Sequence, residues 1–132
     1  MKKTIFLVCA ILMMPVVANA CGGITIKGNS GDSYCLSKHK MNWYSAYAWC
    51  QAQGMNLIDL ETTCKSDTSC PEFKLSNEAI EAVVSEGGIV NGGWARDSKT
   101  EKRPYFVKLR YGTIGADVDR NDSNITICAL CQ

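Results

Sequence analysis

Charge of one sign, histidine and long apolar runs are all scarce in this sequence, and each scarcity argues against a class of function. Lysine and arginine together number 14 against 13 acidic residues, for a formal net charge of +1. This balance predicts no strongly basic surface, so nucleic acid is not an expected partner. The single histidine, His39, lies in a lysine-rich segment typical of an exposed connection, which gives no pattern for a Ser-His or Cys-His catalytic pair.

One apolar run stands out, and it lies at the start of the chain. Two lysines precede the run at residues 5–17, and the small-residue sequence ANA follows it at residues 18–20. The run is shorter than the roughly 20 residues that a membrane span needs. This order predicts a bacterial-type secretory signal over residues 1–20 and a single domain over residues 21–132. We therefore expect a secreted, periplasmic or cell-surface protein.

Cleavage at that point would leave Cys21 as the first residue, which raises the alternative of a lipoprotein. The preceding residues, Ala18 and Asn19, lack the leucine-led pattern that lipidation requires, so ordinary cleavage is favoured. Contact with a membrane is expected only if Cys21 is lipidated.

Cysteine is abundant, with eight residues of which one, Cys9, belongs to the predicted signal. In an oxidising compartment this density predicts a disulfide framework. Because seven is an odd number, one thiol stays free, carries a lipid or pairs with another molecule. The seven cysteines after the signal are Cys21, Cys35, Cys50, Cys64, Cys70, Cys128 and Cys131.

The periodicity of apolar residues predicts an α+β fold: a hairpin, two helices and then a run of strands. Alternating runs at residues 22–27 and 33–37 flank a turn-rich GNSGD segment. Asn42 is suited to cap the first helix and Gly54 to end it. The residues expected on the core face of this helix are Trp43, Ala46, Tyr47 and Cys50. A second helix is expected from residue 76 or 77 to Gly87, followed by strands at 89–96, 105–111, 113–119 and 125–131.

The spacing in and after the first helix resembles the C-type lectin-like domain. That family carries tryptophan, then alanine at +3, cysteine at +7, glycine at +11, leucine at +14 and an aliphatic residue at +17. A second helix, a Gly-Trp strand at residues 93–94 and a final strand ending Cys-Gln extend the resemblance over residues 33–132, weakly at 62–74. In this sequence the six motif positions are Trp43, Ala46, Cys50, Gly54, Leu57 and Leu60.

The resemblance implies two helices packed on a twisted antiparallel sheet whose N- and C-terminal strands are adjacent. It also implies a disulfide from Cys50 to the last strand, at Cys131 or Cys128. Cys131 is favoured because it has the inward parity of its strand and the penultimate place that the family uses. Cys64 and Cys70 are the easiest remaining pair to close, being six residues apart. A Cys21–Cys35 bridge would clip the hairpin, although sequence alone leaves the connectivity open.

Calcium-dependent sugar binding in this family needs a long loop and two short motifs, Glu-Pro-Asn or Gln-Pro-Asp and Trp-Asn-Asp, none of which is present. Calcium takes six to eight oxygen ligands, which one strand cannot supply. Residues 117–128 have part of the spacing of a calcium loop, but Asp122 replaces its glycine and Cys128 its glutamate. We therefore expect no metal and no cofactor.

Residues 128–131 form a CxxC sequence, which raises the alternative of a thiol oxidoreductase. That chemistry needs the first cysteine at the N-terminus of a helix, where its pKa is lowered. Here the pair ends an Ile- and Thr-rich strand, so redox catalysis is not favoured. No catalytic residues are predicted, and the protein is not expected to be an enzyme.

Two hypotheses follow, and the first is a binding module of the adhesin type that contacts an extracellular protein or a glycan without calcium. Polar loops at residues 92–103 and 117–124 are suited to recognition on a rigid support. The second hypothesis is a structural or assembly subunit of a bacterial surface or pilus-like structure, joined through an unpaired cysteine or a lipid at Cys21. The residues expected to contact a ligand are Arg96, Asp97, Arg120 and Asp122.

The absence of the long loop generates a test. Adding calcium is expected to leave the melting temperature unchanged, because a ligand that binds only the folded state would raise it. Thermal unfolding with calcium and with a chelator measures this. A rise of several degrees with calcium would contradict the expectation.

Overall fold

The structure, a computed structural model, describes residues 21–66, 68–98, 104–116 and 125–132. The predicted signal, residues 1–20, lies outside them. The strands are Ile24–Lys27 (β1), Ser33–Met41 (β2), Ile58–Asp59 (β3), Gly93–Arg96 (β4), Tyr105–Lys108 (β5), Thr113–Ala116 (β6) and Ile127–Cys131 (β7). The α-helices in these ranges are Trp43–Ala52 (α1) and Asn77–Ser85 (α2).

The seven strands form one mixed sheet in the order β1-β2-β7-β4-β5-β6, with β3 paired to β4. The predicted α+β class is therefore confirmed, but the expectation of an antiparallel sheet was wrong, because β4 runs parallel to both β7 and β3. The expected adjacency of the terminal strands also needs correction. The hairpin places β1 on one edge of β2, and β7 pairs with the other edge of β2.

Helix α1 begins and ends where local chemistry dictates. The Asn42 side chain accepts a hydrogen bond from the backbone N–H of Ser45 at 2.8 Å, which satisfies one of the free donors of the first turn. Gly54 has φ +73°, a left-handed conformation that ends the helix without a Cβ penalty. Beyond it, the N–H of Met55 donates to the carbonyl of Cys50 at 2.9 Å.

One residue of α1 departs from its predicted position. Trp43, Ala46 and Cys50 are buried, as the helical spacing predicts, whereas Tyr47 is 36% exposed. Its ring stacks on the outside of the Trp43 ring, with centroids 5.5 Å apart, and does not enter the core.

Helix α2 starts at Ser76, whose side chain accepts from the N–H of Ala79, and Gly87 follows its end with φ +85°. Ile80 and Val83 face the core, but Val84 is 56% exposed. Gly88 approaches so closely to Ile24 on β1 that a Cβ there would lie 2.5 Å from the isoleucine Cδ1. This contact fixes α2 beside the edge of the sheet.

Strand β7 separates two apolar clusters because its side chains alternate between the faces of the sheet. Cys128 and Leu130 belong to the larger cluster, whereas Ala129 and Cys131 belong to the cluster beneath α1. The two cysteines of the CxxC sequence therefore lie on opposite faces. They are not placed to form the dithiol that an oxidoreductase uses.

Three disulfides are present: Cys21–Cys35, Cys50–Cys131 and Cys64–Cys70. Cys50 is thus joined to the partner that the resemblance favoured. Cys35 and Cys131 lie directly opposite each other on β2 and β7, so the first two bridges are neighbours. The free cysteine in the described part of the chain is Cys128, and it is buried.

An irregularity in β2 accompanies this buried thiol. Pairing with β7 shifts between Leu36 and Lys40, and the buried hydroxyl of Ser37 fills the break. Ser37 accepts from the N–H of Ala129 and donates to the carbonyl of His39, both at 2.8 Å. Burial raises the pKa of the Cys128 thiol, which Ser37 and Lys40 only partly oppose, so the thiol is neutral.

The disulfides differ in the length of chain that they close, which generates a prediction. Replacing Cys50 and Cys131 together by alanine is expected to lower the free energy of unfolding by about 4 kcal/mol, because the bridge spans a sequence separation of 81. Replacing Cys64 and Cys70, separated by 6, is expected to cost about 2 kcal/mol. Denaturant unfolding of both variants measures which pair of substitutions causes the larger loss of stability. Equal losses would contradict the chain-entropy explanation.

Candidate ligand-binding surfaces

Two of the four predicted ligand-binding residues lie in the described part of the chain. Arg96 is the last residue of β4, Asp97 follows it, and both are half-buried. The other two, Arg120 and Asp122, lie outside the described residues. The structure therefore places one charged pair at the end of β4.

Three aromatic residues of α1, here called the aromatic ledge, lie beside this end of β4. The indole N–H of Trp43 donates to the carbonyl of Ala95 at 2.9 Å, which fixes the ring against the residue before Arg96. Tyr47 stacks on Trp43, and Tyr44 packs edge-on with centroids 5.4 Å apart. Tyr44 is 50% exposed. A buried tryptophan thus connects two exposed phenol rings to the strand residue that precedes Arg96.

The chain that follows Asp97 is anchored by acidic side chains. The N–H of Ser98 donates to Asp59 Oδ1 and its hydroxyl donates to Glu61 Oε2, each at 3.3 Å. Asp59 is also the residue opposite Arg96 in the parallel β3–β4 pair. These contacts fix the backbone directly after β4.

A small apolar hollow of about 270 Å³ lies at the other end of β4. Its lining includes Gly92, the first residue of one predicted recognition loop, and Ile127, which follows the other loop. Trp94 lies beneath as core, 1% exposed, with its N–H donating to the carbonyl of Met41 at 2.7 Å and its ring edge-on to Phe106. The remaining lining residues are Asn91, Phe106, Lys108, Tyr111 and Thr126.

A third surface, the polar groove, has a volume of about 910 Å³ and is lined by three segments. The β1–β2 loop contributes Ser30 and residues 32–34. A π-helical turn, Leu60–Cys64, contributes residues 62–64, with Lys65 directly after it. The 3₁₀ turn Pro71–Phe73 contributes Pro71 and Glu72. Asn56 and Gln132 complete the lining.

Glu72 joins the β1–β2 loop to the 3₁₀ turn. Its carboxylate accepts from the N–H of Ser30 at 2.7 Å, from the hydroxyl of Ser30 and from the hydroxyl of Tyr34 at 2.6 Å. The Asn29 side chain donates to the carbonyls of Pro71 and Lys74. The loop is therefore held at several points.

These hydrogen bonds change the acidity of both groups. Burial opposes the charge of Glu72, but the bonds from Ser30 and Tyr34 outweigh it, so the pKa of this carboxyl is lowered. Burial and the neighbouring charge of Glu72 raise the pKa of the Tyr34 hydroxyl. Glu72 is therefore ionised at neutral pH and serves as a structural acceptor, which does not suit it to the role of general acid.

Sequence reasoning missed the exposed tyrosines and the two short helical turns, Leu60–Cys64 and Pro71–Phe73. Tyr44 could have been noticed as an aromatic residue outside the apolar face of its helix. For the short helical turns the available signals were Asp59, whose side chain accepts from the N–H of Glu61, and Pro71, which starts the 3₁₀ turn.

Among the described residues, no three or more His, Cys, Asp or Glu side chains are grouped so that they could hold a metal ion. No helix within the described ranges combines the length and apolar composition needed to cross a membrane. No protein-family model, curated protein or solved structure matches the chain.

The position of Glu72 generates a pH prediction. Because its folded-state pKa is lowered, Glu72 stabilises the fold above the ordinary carboxyl pKa, and this stabilisation is lost as the pH falls through the folded-state value. Glu72→Gln is expected to lower the free energy of unfolding at pH 7 by about 1 kcal/mol, a modest value because the carboxylate is largely solvated.

Denaturant unfolding between pH 7 and about pH 2 measures this effect, since that range spans the carboxyl titration. The difference between the original protein and the variant is expected to shrink toward low pH. Glu81→Gln, on the exposed surface of α2 beyond its first turn, is the control and should show no such convergence. A constant difference at every pH would contradict the assignment.

Proposed function

We propose that the chain is an exported, non-enzymatic binding module with a C-type lectin-like fold, which contacts an extracellular protein or glycan without calcium. The aromatic ledge beside Arg96 and Asp97 is the observation that carries this proposal. Trp43 links the exposed rings of Tyr44 and Tyr47 to Ala95, which directly precedes these two half-buried charged residues.

The exposed rings favour recognition over a purely structural role. Tyr44 and Tyr47 lie on the solvent side of Trp43, so their burial contributes little to the core. Tyrosine provides a large contact area with little loss of side-chain freedom, and it is enriched where proteins bind ligands. Arg96 and Asp97 supply the polar contacts that fix the orientation of a bound group.

The support beneath the ledge is rigid, which reduces the cost of ordering on binding. The Cys50–Cys131 bridge ties α1 to β7, and the last residues of the chain pair with the segment after α1. In that pairing, the N–H of Gln132 donates to the carbonyl of Asn56 at 2.8 Å and the N–H of Asn56 donates back at 3.0 Å. This framework, with a helix cysteine joined to the final strand, also supports the lectin-like assignment.

Cysteine chemistry gives less support to the alternative of a covalently joined assembly subunit. Lipidation would require the Cys21 sulfur to form a thioether, which its disulfide with Cys35 excludes. The free thiol at Cys128 is buried, so it is not accessible for a disulfide with another chain. Neither observation favours covalent attachment.

The test begins with a screen of the disulfide-intact protein against immobilised glycans and extracellular matrix proteins. Tyr44→Ala/Tyr47→Ala is expected to weaken binding to any ligand found by about tenfold or more, the loss typical of aromatic contact residues. Arg96→Ala/Asp97→Ala is expected to weaken it as well. Both are measured by surface plasmon resonance, with melting curves to confirm folding.

Tyr111→Ala is the matched control, since Tyr111 is a 65% exposed tyrosine beside the apolar hollow. It should leave affinity unchanged. If both ledge variants bind normally, the proposed surface is wrong. If only Tyr111→Ala loses binding, recognition takes place at the apolar hollow.

A further inference from the structure

We propose that the polar groove is a second binding site, for a neutral, hydroxyl-rich saccharide. The inference rests on the proposed role as a binding module but concerns a different surface. The groove lies between the β1–β2 loop and the Cys64–Cys70 loop, and neither Arg96 nor Asp97 lines it.

The groove has the dimensions and fixed lining of a binding site. Its volume of about 910 Å³ falls within the range of about 300–1,000 Å³ that is usual for ligand pockets. Glu72 holds the β1–β2 loop, as described above. The Cys64–Cys70 bridge closes the π-helical turn, and the hydroxyl of Thr63 donates to Gln132 Oε1 at 2.7 Å. Little ordering is therefore needed on binding.

The lining has the chemistry of a sugar-binding surface more than that of an apolar one. Hydroxyl groups come from Ser30, Ser33 and Thr62, and side-chain amides come from Asn56 and Gln132. Hydroxyls and amides both donate and accept hydrogen bonds, which matches a ligand whose own groups do the same. Tyr34, Cys64 and Pro71 contribute apolar surface beside these polar groups.

The charges of the lining select against acidic ligands. Asp32 and Glu72 bring two carboxylates and Lys65 brings one ammonium, which gives the groove a net charge of −1. A sulfated or phosphorylated ligand would be repelled by the carboxylates. A neutral saccharide, which can receive hydrogen bonds from Lys65 and donate them to Asp32, fits better.

Lys65 is held in a conformation that glycine would adopt more easily. Its φ is +68°, in the left-handed region, at the end of the π-helical turn. A non-glycine residue in this region is strained, and such strain is found at functional sites. Lys65 also lines the groove, so this strained position brings a cationic side chain to it.

Lysine at a strained position generates a test in which stability and binding move in opposite directions. Lys65→Gly is expected to raise the melting temperature by about 3 °C through relief of strain. The same change is expected to weaken saccharide binding by about tenfold, because hydrogen bonds from a charged donor are lost. Arg110→Gly is the control, since Arg110 has φ +87° outside the groove. It should stabilise the protein without changing affinity.

Binding is followed through the amide signals of the ¹⁵N-labelled, disulfide-intact protein during titration with maltotriose, mannotriose, chitotriose and lactose. A heparin oligosaccharide serves as the acidic comparison. At least one neutral sugar is expected to shift the signals of Ser30, residues 62–65 and Gln132. Thr62→Val, which removes one hydroxyl with little change in shape, should reduce the affinity for that sugar.

The possible failures of this proposal and of the proposed function can be told apart. Shifts centred on Tyr44, Tyr47 and Arg96 would overturn the groove proposal and leave the ledge proposal standing. No shift with any neutral sugar at about 10 mM, where even millimolar affinity is detected, would overturn the groove proposal. Shifts with heparin alone would also overturn it. The ledge variants Tyr44→Ala/Tyr47→Ala and Arg96→Ala/Asp97→Ala, tested against each ligand that the array screen finds, judge the ledge independently.

Discussion

The insertion of β7 between β2 and β4 is the constraint on which the rest of the structure depends. Within the described ranges, β7 is the strand that joins the hairpin side of the sheet to the β4–β5–β6 side, through its pairing with β2 and with β4. The Cys50–Cys131 bridge fastens it to α1 from one face, and the Ser37 hydroxyl satisfies the amide of Ala129 where the pairing with β2 is irregular. At Gly93 the contact is so close that a Cβ would lie 2.5 Å from the Leu130 Cβ, so only glycine fits.

The two proposed binding surfaces depend on this joint in different ways. The aromatic ledge is supported directly, because Trp43 spans from α1 to the carbonyl of Ala95 on β4. The polar groove is supported through the end of the chain, since Gln132 follows β7 and its side chain accepts from Thr63. Neither surface requires the calcium loop that the family resemblance would otherwise invoke.

Residues whose role is local were predictable from the sequence. Asn42 caps α1, Gly54 ends it, and the spacing of Trp43, Ala46 and Cys50 identifies its buried face, since each follows from helix geometry alone. Six of the seven strands were predicted in order, but β3 was missed and β2 was predicted too short. The prediction for β4 was too long, since the strand begins at Gly93 and not at residue 89.

The sheet order and the surfaces were less predictable because they depend on contacts between distant segments. No sequence pattern near residues 127–131 predicts that this strand lies between β2 and β4 and runs parallel to β4. Tyr47 fits the helical spacing of a core residue, but its ring stacks on Trp43 at the surface. Glu72 likewise has no local signal, because its partners Ser30 and Tyr34 lie about forty residues earlier.

The central place of β7 has a consequence for biosynthesis. Residues 127–131 follow every other strand in the chain, so the sheet cannot become continuous until they have been synthesised. Because the chain is synthesised from its N-terminus, Cys21, Cys35 and Cys50 are all made before Cys131. Any oxidation before residues 127–131 have been made therefore offers Cys50 only incorrect partners. Correct pairing of Cys50 requires oxidation slow enough to wait for the last strand, or a later exchange of disulfides.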